Sequence, residues 1–215
     1  WSSDVCSSDL NSLALANELA LLCEKLGINA WEVIKLSNKH PRVNIHQPGP
    51  GVGGHCIAVD PYFIIEKAPD ESRLISAARE VNSTMPKYIV SKVKTMTKDI
   101  NQPKVSVFGV TYKENINDLR ESPAIEIIEL LIKEGYEIAV YDPHINNYKF
   151  QTTLYDAVNE SDMILILTAH DEFKNINYID LTNQMRTKII FDTRNIVRLE
   201  QIHEDNILLF NLGNI

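Results

Sequence analysis

Leucines recur at Leu15, Leu19, Leu22 and Leu26, and this three-to-four spacing predicts a helix from Asn11 to Lys25 with one buried face. Gly27 supplies its stop. Asn29 then opens a second helix, with Glu32 three residues on in a capping-box-like arrangement, and Pro41 forbids continuation. From Arg42 to Pro61 no period survives and Gly and Pro are dense. Long ordered loops in compact domains tend to carry function, so this stretch is the first place to look. A helical pattern returns from about Glu71 to Lys98, through Leu74, Ala77, Ala78, Val81, Ile89, Val93 and Met96, interrupted by Pro86. It reads as a long bridging helix. Beyond Pro103 short β-branched runs alternate with helices: KVSVFGV, SPAIEIIELLIKEG, EIAVYD, a helix near Leu154 to Glu160, then DMILILT and KIIFDT. That alternation implies parallel strands with crossover helices. The fold class is α/β: a helical domain over 11–100, then a Rossmann-like parallel-sheet domain over 101–215. Residues 1–10, WSSDVCSSDL, show no period. They read as a foreign or disordered segment, similar to a translated sequencing adapter joined to a truncated gene.

Composition narrows the partners. A chain of 215 residues with 44% hydrophobic and 23% charged residues can bury a real core. Its net charge of -8 disfavours a nucleic-acid backbone, whose non-specific binding rests on Lys and Arg releasing counterions. No apolar run approaches the roughly 18 residues that span a bilayer, so no membrane partner is expected and a cytoplasmic setting is the default. Cys6, Cys23 and Cys56 lack CxxC pairing and read as free thiols, with neither a disulfide framework nor a zinc site suggested.

The loop PGPGVGGHC formally matches G-x-G-x-x-G through Gly49, Gly51 and Gly54. A dinucleotide fingerprint needs a strand before it and a helix N-terminus after it; this loop follows Pro41 and Pro48, so that reading is rejected. The glycines instead let the backbone approach a ligand closely, or adopt positive φ, before Cys56. A cysteine taken at random is a small buried hydrophobe. Cys56 ends a glycine-rich loop with Asp60 four residues on, where a thiolate attacking a carbonyl and a carboxylate positioning water could face one site. His55 is expected to be structural or substrate-contacting, because sequence neighbours usually point apart. After the first strand, TYKENINDLRESPA offers Lys113 and Arg120 before a helix starting near Ser122, a setting suited to phosphate oxygens, with a solvated surface pair as the bland alternative. Arg194, at the end of KIIFDT, could point to the same crevice. One glycine alone follows that first strand, which argues against a second full NAD site.

Together, HPRVNIHQPGPGVGGHCIAVDPYF, FGVTYKENINDLRESPA and FDTRNIV resemble, in this order, the UDP-glucose/GDP-mannose dehydrogenase family. NELALLCEKLGIN resembles its central dimerisation domain, and the cysteine loop is nearest to the members acting on UDP-N-acetyl-D-mannosamine. The resemblance implies oxidation of a sugar C6 alcohol to a carboxylate for surface polysaccharide biosynthesis, using NAD twice, with Cys56 attacking the intermediate aldehyde and a thioester hydrolysed afterwards. Asp60 matches the carboxylate that helps hold the hydrolytic water. Gly49, Gly51, Gly53 and Gly54 match the loop along the substrate. Arg42 matches an arginine reaching the nucleotide sugar of the neighbouring subunit in a homodimer. Tyr112 and Lys113 match the aromatic–lysine pair gripping the UDP-sugar, and Arg194 an arginine on the same ligand. Arg120 matches an arginine contacting NAD, beside which Cys56 also stands. The family's lysine and asparagine that assist the chemistry fall here at Ser2 and Cys6, and its N-terminal cofactor domain has no counterpart. The polypeptide as it stands is therefore expected to be inactive. Two other readings remain: a non-catalytic UDP-sugar-binding dimerisation module, and a cysteine hydrolase using Cys56 and His55, for which no orienting third group is evident.

Overall fold

A computed structural model describes residues 2–202 and 206–214, the side chains of 2–5 and 201 aside. Helix α1 spans Ser2–Leu26, so residues 2–10, expected to lie outside the fold, instead form its first turns, with Leu10 fully buried. Asn29 caps α2 (Ala30–Ser37) by accepting from the backbone N–H groups of Trp31 and Glu32. Helix α3 (Asp60–Lys67), which begins inside the aperiodic stretch, carries Pro61 in its first turn, and α4 (Arg73–Met96) contains Pro86.

The leucine stripe of α1 does not face the core. Leu15, Leu22 and Leu26 are 47%, 48% and 70% exposed, while the opposite stripe of Leu10, Ala14, Asn17, Ala20 and Cys23 is buried. Both stripes share the helical period, so spacing alone cannot choose between them. The small residues let α4 approach α1 closely. Leu74, near the start of α4, is also exposed and borders a shallow groove with Leu15.

The sheet domain contains β1 (Lys104–Phe108), α5 (Pro123–Lys133), β2 (Glu137–Tyr141), α6 (Leu154–Val158), β3 (Met163–Ile166), α7 (Asp171–Lys174), α8 (Tyr178–Thr182), β4 (Ile189–Asp192) and β5 (Leu208–Asn211). All pairings are parallel, in the order β2-β1-β3-β4-β5. Four strands follow the sequence reading and β5 adds a fifth. Both faces are covered, as a parallel sheet requires: Val105, Val107, Met163 and Leu165 pack toward α5 and α4, and Phe108, Ile164 and Ile166 toward Phe173, Tyr178 and Leu181. The first of these cores also contains Ala20, Cys23 and Ala30, so hydrophobic packing runs unbroken across the expected boundary near residue 101. At the far end Ala30 N–H donates to Gly213 O and Trp31 Nε1 to Leu212 O, tying α2 to the C-terminal segment.

Candidate active site

Strand β1 lies between β2 and β3: the connection after β1 runs to one side and that after β2 crosses back to the other, and the crevice at the carboxyl ends of such strands is where open α/β sheets hold ligands. Tyr112 and Lys113 follow β1, Thr168 follows β3 and Arg194 follows β4. All four line one cleft with Pro50 and Gly51 of the glycine loop. Its enclosed part measures 40 Å³, so a nucleotide would lie across its mouth. Arg194 is set by Asp192, whose carboxylate accepts from the backbone N–H groups of Arg194, Ile196 and Val197 at 2.6–2.9 Å. Burial lowers the pKa of Arg194, against the pull of Glu114 and Asp192.

The glycines admit side chains of the sheet domain. A Cβ on Gly49 would collide with Arg194 Nη1, and one on Gly53 would stand 2.5 Å from Glu121 O and 2.7 Å from Tyr112 Cβ. Gly54 N–H donates to Arg120 O at 2.9 Å. From below, Asn17 Oδ1 accepts from Gly49 N–H at 2.8 Å, while Asn17 Nδ2 donates to Asn82 Oδ1 and Asn82 Nδ2 donates to Ala78 O. Pro86 lacks the N–H that would bind the Asn82 carbonyl, and that carbonyl faces Gly51. This buried amide chain joins α1, α4 and the glycine loop, a contact that no spacing in the sequence reveals. Its sequence signal was Asn82, a polar residue inside the apolar period of α4.

Cys56 is half-buried at the end of the loop. Its carbonyl accepts from Val59 and Asp60 N–H, a turn that swings Asp60 back toward it. The Sγ of Cys56, the Sγ of Cys6 and a carboxylate oxygen of Asp60 lie within 4.8 Å of one another. Cys6, in the segment that reads as foreign, thus borders Cys56, and burial, Asp60 and Cys56 push its thiol above the ordinary value. The side chain of Ser2 lies outside the described residues. His55 does not point away, as neighbours usually do: its Nδ1 stands 2.9 Å from Cys56 Sγ. Among the described residues no carboxylate hydrogen-bonds its other nitrogen.

Lys113 and Arg120 do not form one phosphate site. Arg120 turns outward into a bidentate pair with Asp118, whose carboxyl it holds down at about 2. Lys113 shares its cleft with Arg194 instead. Arg42 is exposed and does not line the cleft of its own protomer. A second cavity of 540 Å³ also borders Gly51, but there Glu121, Glu126 and Glu129 outweigh the one cation among the described residues, Arg79, which disfavours a diphosphate. No described helix is long and apolar enough to cross a membrane.

The model for the central domain of the UDP-glucose/GDP-mannose dehydrogenase family matches residues 9–84, and the model for that family's UDP binding domain matches residues 106–199. A UDP-N-acetyl-D-mannosamine dehydrogenase of Methanocaldococcus jannaschii is 47% identical over 211 residues, covering 96% of this chain and 48% of the relative. Among solved structures, the UDP-N-acetyl-mannosamine dehydrogenase of Staphylococcus aureus superposes with a TM-score of 0.87 at 47% identity, covering 97% of this chain and 49% of that one. The UDP-D-ManNAc dehydrogenase of Pyrococcus horikoshii superposes with a TM-score of 0.90 at 35% identity, covering 99% and 50%. The chain spans about half the length of these relatives. Matched in order by both domain models, one for each half of its fold, the chain belongs to the UDP-glucose/GDP-mannose dehydrogenase family.

Proposed function

We propose that this chain carries the UDP-sugar-binding and thiol-bearing part of an NAD-dependent UDP-N-acetyl-D-mannosamine 6-dehydrogenase serving surface polysaccharide synthesis in the cytoplasm. The observation that carries the reading is the cleft itself: Lys113 and Arg194, two cations far apart in sequence, border one crevice roofed by the glycine loop that ends in Cys56. Two cations and an aromatic side chain suit a diphosphate and its base or sugar. The relatives' names supply the aminosugar.

In this reading Cys56 Sγ adds to the C6 aldehyde carbon, and oxidation of the adduct leaves a thioester on Cys56. Asp60, at the N-terminus of α3, orients the water that attacks the thioester carbonyl; the carboxylate leaves and the thiol is restored. NAD supplies the electron acceptor for both oxidations. The sheet domain does not fit a dinucleotide of its own. Asp142, at the end of β2 where a ribose would be held, is buried and already accepts from Val110, His144 and His170. Arg120, beside the Cys56 loop, is the side chain assigned to touch NAD. Arg42 serves the neighbouring subunit of a homodimer, whose contact face is the uncovered leucine stripe of α1.

Calorimetric titration of the chain with UDP-N-acetylmannosamine, UDP-glucose and NAD separately tests the reading. Binding of the aminosugar nucleotide without NAD is expected. Binding of NAD alone would mean that the sheet domain has been misread. With serine and cysteine where the family has lysine and asparagine, the isolated polypeptide should bind without turnover.

A further inference from the structure

The segment that presents Tyr112 and Lys113 is fastened to the sheet through one fully buried imidazole. His170 Nδ1 accepts from the backbone N–H of Asn115 at 2.9 Å, so this nitrogen carries no proton. The ring's proton therefore sits on Nε2, 3.1 Å from Asp142 Oδ2 and 3.2 Å from Thr111 Oγ1. Thr111 Oγ1 spends its own hydrogen on Lys113 O at 2.8 Å and can only accept from the ring. Asp142 is held in turn by Val110 N–H at 2.7 Å and His144 N–H at 2.9 Å. Asp142 thus fixes the tautomer of His170, and that tautomer fixes Asn115.

Asn115 needs the support. Its φ of 59° is in the left-handed region, and its side chain is clamped by Asp171, which accepts from Nδ2 at 2.9 Å while its own N–H donates to Asn115 Oδ1 at 3.0 Å. Lys113 sits between two anchored points, its carbonyl held by Thr111 and the chain two residues on held by His170.

We propose that His170 is a positioning residue for nucleotide binding: through Nδ1 it latches the Tyr112–Lys113 segment in the shape that faces the cleft. This rests on the reading of that cleft as the UDP site. A purely structural histidine would lower stability and affinity in step. A latch predicts that they separate according to which nitrogen is replaced.

His170→Asn keeps an acceptor near the Nδ1 position but cannot reach Asp142, whereas His170→Gln keeps a donor toward Asp142 and leaves Asn115 N–H unpaired. The two variants and the unaltered chain are titrated calorimetrically with UDP well below their melting temperatures, and amide hydrogen exchange is followed at Asn115. His170→Gln should weaken UDP binding about tenfold and speed exchange at Asn115, while His170→Asn stays within about threefold of the unaltered chain. Equal losses in both variants, tracking their melting temperatures, would overturn the proposal, as would unchanged UDP binding by His170→Gln. If neither variant folds, the unaltered chain decides: slow exchange of the Asn115 amide despite its surface loop supports the latch, and fast exchange removes it. Failure of the unaltered chain to bind UDP would count against the cleft reading and the ligand role together, while the exchange data still judge the latch.

Discussion

The ring of Tyr112 lies so close to Gly54 that a Cβ there would stand 2.8 Å from its Cε2. Gly54 also has φ +85°, where a side chain is strained regardless of space. The cysteine loop and the cleft bordered by Lys113 and Arg194 are therefore one mechanical unit. Gly54→Ala should destabilise the chain by about 2 kcal/mol and weaken UDP-sugar binding, because either Tyr112 or the loop must move. Denaturant unfolding beside calorimetry checks this; unchanged values for both would show that the loop and Tyr112 are not coupled.

Lys113 and Arg194 approach the cleft from different strands, and Arg194 is the more buried. Lys113→Met should reduce UDP affinity about tenfold and flatten its salt dependence. Arg194→Met should cost at least as much, since it also releases Pro48 O from its 3.3 Å contact. Titrations at two ionic strengths read both effects.

Cys6 and Cys23 are buried and Cys56 is not. Iodoacetamide should label Cys56 first, and saturating UDP-sugar should slow that labelling. Peptide mass spectrometry over time gives the order. Labelling of Cys23 ahead of Cys56 would contradict the greater accessibility of the Cys56 thiol.

Burial raises the Asp142 carboxyl, but hydrogen bonds from His170 and from Val110 and His144 N–H outweigh it and hold the pKa below its ordinary 3.8. A depressed folded pKa contributes stability above the unfolded value, and loses it as pH falls through the folded one. Asp142→Asn should therefore cost about 2 kcal/mol at neutral pH, with the two unfolding curves converging as the pH falls below the ordinary carboxylate value and through the depressed folded one. A gap that stayed constant into acid would mean that the charge of Asp142 is not what holds the network.

The leucines left uncovered on α1 predict self-association. Leu22→Asp with Leu26→Asp should shift the chain from dimer to monomer in sedimentation without lowering its helix content, because neither side chain packs in the core of its own protomer. A monomeric parent chain would remove the stripe as the dimer face.

The alternation of β-branched runs and helices, hence the parallel sheet, and the glycine loop running into Cys56 and Asp60 are legible along the chain, because periodicity and glycine content are local properties. The sequence also carried the order of motifs that marks the family. Which stripe of α1 faces inward was not legible: the leucine and alanine faces share one period, and only the close approach of α4 selects the alanines. That Lys113 shares its cleft with Arg194 while Arg120 turns to Asp118 was equally hidden. Strand order, not spacing, brings the ends of β1 and β4 to one edge, whereas Asp118 stands only two residues from Arg120 and captures it first. Nothing in the sequence marks His170, a lone histidine after a strand. Its role exists only where β2, β3 and the loop after β1 converge, since a hydrogen-bond relay is a property of tertiary contact.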